Sequence, residues 1–163
     1  MDKILFLGVV TGMRTMTGIA AVCWGAWLMW LPEHGWAMWS TYLVSAIIFT
    51  VLAIGEYIGD TLPKTPSRKT VGPAMARLVF GGLVGALGAM AIVEPLAGGI
   101  LAGVIGAAIG TWGGYAVRAW GAKRVGNDLP VALLESAFAL VLAILCVWSL
   151  HQGILVDQRR GVV

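Results

Sequence analysis

TGMRTMTG, residues 11–18, lies inside an apolar run that extends from about Ile4 to Leu31. How that run accommodates Arg14 decides the fold. At the rise of a straight helix, Arg14 would sit about 15 Å beyond Ile4, near the middle of a bilayer's hydrocarbon. A guanidinium there must face other helices or water, because its transfer into lipid costs about 3 kcal/mol or more. Thr11, Thr15 and Gly18 share one helical face at spacings of three and four. Gly12 and Gly18 allow close backbone approach or a local break.

Four more apolar blocks follow, at about 38–59, 74–93, 96–120 and 129–150. Charged residues make up only 12% of the chain, against roughly 25% in a soluble domain, and mean hydropathy is +0.87. The blocks are continuous rather than alternating and far longer than barrel strands, so they read as helices. The expected fold class is an all-α polytopic membrane bundle of five transmembrane helices, or of four plus one re-entrant segment. A single domain spans residues 1–156, and 157–163 is read as a short polar tail.

The connections carry turn and charge signals. LPEHG (31–35) and EPLAGG (94–99) are short turns, the second short enough to require an antiparallel helical hairpin. DTLPKTPSRKTVGP (60–73) and RAWGAKRVGNDLP (118–130) are basic loops. Lys3, Lys64, Arg68, Lys69, Arg118, Lys123 and Arg124 group on one side when five passes are drawn. The positive-inside rule then places the N-terminus in the cytoplasm, in an inner-membrane setting. Trp24, Trp27, Trp30, Trp36, Trp39 and Trp148 gather towards the opposite interface. The net charge of +3 is thus read as a topological signal, with no nucleic-acid surface implied.

Besides Arg14, charges fall inside the blocks at Glu56, Arg77 and Glu135, with Asp60 one turn beyond Glu56. Glu56, Arg77 and Glu135 are expected at similar depth in the cytoplasmic third, and Arg14 nearer the middle. Two arginines balanced by two carboxylates suit interhelical ion pairs, and equally a path for a polar or anionic solute or a proton. Arg14, Thr11, Thr15, Glu56, Asp60, Arg77 and Glu135 are the candidate path residues. Asp60 is also placed to pair with Lys64, and Asp128, just ahead of Pro130, reads as a helix N-cap.

Small residues form stripes. Gly99, Gly103, Gly106, Gly110 and Gly114 lie on one face of the fourth block, and Gly81, Gly85 and Gly88 on one face of the third. Such stripes pack helices where lipid offers no hydrophobic force. Cys23 and Cys146 read as small apolar residues, and no metal or cofactor is implied by spacing. There is no phosphate-binding loop, no serine-hydrolase elbow and no metalloprotease motif.

The run GEYIGDTLPKTPSRKTVGPAMARLVFGGLVGA (55–86), with TGMRTMTG (11–18) and GNDLPVALLESAFAL (126–140), resembles a family of small bacterial integral-membrane proteins, the domain of unknown function 4126 type. The matching positions are Gly12, Arg14, Glu56, Asp60, Pro63, Arg77, Pro130 and Glu135. The chain departs from the family at VGND, where a proline–glycine turn is expected. The resemblance implies a helical membrane fold and no particular activity.

The expectation is a small multi-pass membrane protein, a transporter or permease for a small polar or anionic solute, acting as a homo-oligomer in the lipid bilayer. The alternatives are a non-catalytic scaffold whose charges are interhelical glue, and an enzyme acting on lipid-linked phosphates.

Overall fold

The computed structural model describes residues 1–60 and 71–160. Pro63, Lys64, Arg68 and Lys69, and with them most of the first basic loop, lie outside the described residues. The helices are α1 (Asp2–Met13), α2 (Thr15–Trp27), α3 (Leu43–Gly59), α4 (Val71–Ala91), α5 (Leu96–Val125) and α6 (Asp128–Arg159), with a 3-10 helix over Gly35–Thr41.

The first apolar block is not one helix. Arg14 is extended (φ −140°, ψ 100°), so α1 ends and α2 begins on either side of it. The chain then doubles back. A Cβ added at Gly18 would lie 3.5 Å from the Leu7 carbonyl oxygen, whereas a straight helix would separate those residues by about 16 Å. The long helix α6 confirms the reversal. Lys3 donates to the Ser149 carbonyl (2.7 Å), Arg14 to the Ala132 carbonyl (3.2 Å), and the Trp30 carbonyl lies 3.0 Å from His151 Nδ1. The block therefore enters at the Ser149–His151 level of α6, turns at Arg14 near Ala132, and returns. This corrects the single helix over 4–31, and with it the shared face of Thr11, Arg14, Thr15 and Gly18.

The second block bends as well, by 67° between the 3-10 helix and α3. Among the described residues three helices, α4, α5 and α6, are long and apolar enough to cross a membrane, or up to four spans if the bent pair counts as one. Five transmembrane helices are thus not confirmed among the described residues. The second basic loop shrinks to Gly126 and Asn127, since α5 continues through Arg118, Lys123 and Arg124. Gly126 ends α5 in the left-handed region (φ 72°), where a residue without a Cβ is unstrained. Residues 157–159, read as a tail, belong to α6.

Lys3 is separated from Arg118. It lies against Ser149, while Arg118 contacts Asp128 at the far end of the same helix. The grouping of Lys3 with the second basic stretch, from Arg118 to Arg124, is thereby corrected, because the returning hairpin reverses the side on which α1 starts.

The glycine faces divide between two neighbours. Gly99 and Gly103 of α5 lie on the backbone of Gly85 and Gly81 of α4, where any Cβ would collide with a carbonyl oxygen. Gly106 and Gly110 instead meet the backbone of Leu5 and Val9 in α1, and Gly88 of α4 meets Ile4 of α1. The stripe of α5 thus holds the hairpin as well as α4. Gly114 lines an open groove. Around this seam, Leu7, Ile19, Val22, Val84, Leu87, Val147 and Leu150 form the buried apolar core.

Candidate charged site at the hairpin tip

The tip of the α1–α2 hairpin is gripped by charge. Arg14 is 1% exposed, and a buried guanidinium is tolerable only with its donors engaged. Its Nη1 pairs with Asp60 Oδ2 from the end of α3. Its Nη2 donates to the Ala132 carbonyl (3.2 Å) and lies 4.0 Å from Glu135 Oε2, both on α6. The guanidinium also stands 5.3 Å from the Tyr57 ring centroid, a cation–π distance.

Glu56 holds the other side of the break. Its two carboxylate oxygens accept the backbone N–H groups of Thr15 and Met16, each at 2.9 Å. These are among the N-terminal donors that every helix leaves without an intrahelical partner, and the helix dipole favours a negative charge there. Glu56 thus caps α2 from a different helix, and Arg77 Nη2 of α4 stands 3.8 Å behind it. Because Glu56 and Asp60 are four residues apart on α3, one helix face reaches both the backbone and the arginine of the tip. Thr17 of α2 adds a 2.7 Å hydrogen bond to the Tyr57 hydroxyl.

Arg118 completes the cluster. It is bidentate with Asp128, at 2.9 Å and 2.6 Å, and lies 3.4 Å from Asp60 Oδ2 and 3.7 Å from Glu135 Oε2. Three guanidiniums and four carboxylates, from the α1–α2 break and from α3, α4, α5 and α6, therefore converge.

Of the sequence candidates, Arg14, Glu56, Asp60, Arg77 and Glu135 meet here, and Thr15 joins through its backbone. Thr11 does not. Its hydroxyl donates to the Leu7 carbonyl (2.9 Å), and its side chain packs on Gly18 across the hairpin. Sequence reasoning missed Arg118, taken as a loop cation. The available signal was spacing, since Gly106, Gly110, Gly114 and Arg118 recur every four residues on one face. It also misread Asp128, because the N-cap of α6 is Asn127, whose side chain accepts from Leu129 N. The pairing of Asp60 with Lys64 lies outside the described residues.

Comparison with protein-family models, with curated proteins and with solved structures finds no match for the chain.

Proposed function

We propose that the protein is a small membrane permease for a small polar or anionic solute, with the α1–α2 hairpin as its working element. The observation that carries this reading is Arg14, held at a backbone break and ringed by ionisable groups. Irregular backbone at membrane depth is tolerated only where protein buries it or a water-filled path lines it. Ionisable side chains at that depth mark solute or proton pathways by default, and broken helices with polar ends facing a midplane site recur in transporters. Arg14, Arg77 and Arg118 would contact the solute, and Glu56, Asp60 and Glu135 would exchange with it or carry a proton. α3 with its 3-10 extension, α4, α5 and α6 would cross the bilayer, and the hairpin would be re-entrant. With the Arg118–Arg124 end inside, Met1 and the end of α6 would lie outside, which for Met1 is opposite to the orientation drawn for five passes. A single chain of this size encloses little volume, so a homo-oligomer is part of the proposal.

One observation favours a second reading. The terminal nitrogens of Arg14 are already taken by Asp60 and the Ala132 carbonyl, as a purely structural clamp requires. In that case the protein is a scaffold. Site-directed labelling separates the two. With Cys23 and Cys146 replaced by alanine and a single cysteine at position 15, a membrane-impermeant thiol reagent is applied to each side of sealed vesicles. Labelling at position 15 from one side supports the permease. A silent position 15 beside a reactive control cysteine at position 123 supports the clamp and removes the permease reading.

A further inference from the structure

A groove of about 650 Å³ runs between α1, α5 and α6 on the outside of the bundle. Val9, Met13, Ile109, Val117, Leu134 and Phe138 line it, with Arg118 and Glu135 on its inner wall. Ile109, Val117, Leu134 and Phe138 are each more than half exposed, so the groove opens sideways.

The glycines of α5 show where protein stops filling space. At Gly103, Gly106 and Gly110 a Cβ would strike neighbouring backbone, but at Gly113, in the groove, it would meet nothing within 4 Å. The same helix surface thus passes from close helix packing to an apolar trough.

The rim has a definite chemistry. Trp120 lines the groove, and the Arg124 guanidinium stands 4.8 Å from its ring centroid. Lys123 is exposed beside it. The neighbouring acid, Asp128, is held by Arg118, which leaves the rim cationic. Tryptophan marks membrane interfaces. From Trp120 to Ile109 the helix rises about 16 Å, close to the ~15 Å hydrocarbon depth of one leaflet.

We infer that this groove seats one acyl chain of an anionic phospholipid whose phosphate headgroup rests against Lys123 and Arg124. The chain fills the apolar trough over Gly113, and the two cations select the headgroup. The bound lipid covers the open side of the wall that carries Arg118 and Glu135, so it forms part of the lining of the charged cluster. This site is independent of solute movement and stands equally for a permease or a scaffold.

The test uses the full chain, extracted and incubated with mixed phosphatidylglycerol and phosphatidylcholine, with retained lipid read by native mass spectrometry. Each basic residue near a membrane surface contributes about a five-fold preference for anionic lipid. The wild type is therefore expected to retain phosphatidylglycerol at least about ten-fold over phosphatidylcholine. Gly113→Leu, placed in open space, should fold with unchanged helix content and lose the retained lipid. Lys123→Gln/Arg124→Gln, altered only at exposed positions, should keep lipid but lose the preference, and it serves if Gly113→Leu fails to fold. Equal retention of the two lipids by the wild type overturns the inference. So does undiminished phosphatidylglycerol on folded Gly113→Leu, or a change in oligomeric state without lipid loss, which would assign the groove to a second copy.

Discussion

The glycine seam and the hairpin tip hold the same helix, α1, by opposite means. Along the seam, Gly8 and Gly12 of α1 lie on the backbone of α5 with no side chain between them. At the tip, contact is made almost entirely through long charged side chains reaching in from other helices. Both answer one problem: lipid gives apolar helices no reason to associate, so contact must come from close packing or from polar pairing. The seam is dense and permissive of no added atom. The tip is polar and depends on every partner being present. A rigid wall beside an ionisable hinge is a workable arrangement for a moving hairpin.

The tip breaks hardest. Arg14→Met removes the buried guanidinium that Asp60, Glu135 and the Ala132 carbonyl share, with Arg118 still 3.4 Å from Asp60. Removing one partner of a buried pair costs about 3–5 kcal/mol. Arg14→Met/Asp60→Leu together should lose clearly less than the sum of the single changes. Chemical unfolding in detergent measures both, and additive losses would show that the pair is not coupled.

The seam comes next. Gly103→Val drives a Cβ into the Gly81 carbonyl and the Gly85 backbone, and overpacking of this kind costs up to about 3 kcal/mol or more. Thermal unfolding should fall by several degrees. An unchanged midpoint would mean that α4 and α5 are not held by this approach.

A third experiment sharpens the contrast with a charge that has no clamp. Glu33, in the connection after α2, is buried, and among the described residues neither of its carboxylate oxygens has a hydrogen-bond partner. Burial pushes its pKa up to about 8. A carboxyl whose folded pKa is raised binds a proton on folding. Its environment is therefore tolerated fully below about pH 4.5, and stability is lost as pH rises from there to about 8, at up to about 1.4 kcal/mol per unit. Glu33→Gln should flatten that slope in unfolding measured between pH 5 and 8. A slope that persists would place the titration elsewhere.

The smallest effect is expected at Gly113. With open space around it, Gly113→Ala should change stability by under about 1 kcal/mol, in the stabilising direction through helix propensity. Set beside Gly103→Val, it separates packed glycines from those of the groove. A large destabilisation would mean that the groove is filled in the resting protein.

Composition and the length of the apolar blocks were enough to establish a helical, membrane-compatible chain, because uninterrupted apolar runs leave the backbone no other way to satisfy its polar groups. The intrahelical carboxylates and arginines were legible too, since charge inside such a run is conspicuous. The path of the first block was decided by tertiary contacts. A helix that continues through Arg14 and one that breaks there have the same local pattern. The Glu56 cap on the freed N–H groups of Thr15 and Met16, with Asp60 on the arginine, is what makes the break stable. These partners lie forty or more residues away in sequence. No local spacing encodes them, and the reversal they permit moves Lys3 and the start of α1 to the end of the bundle opposite Arg118.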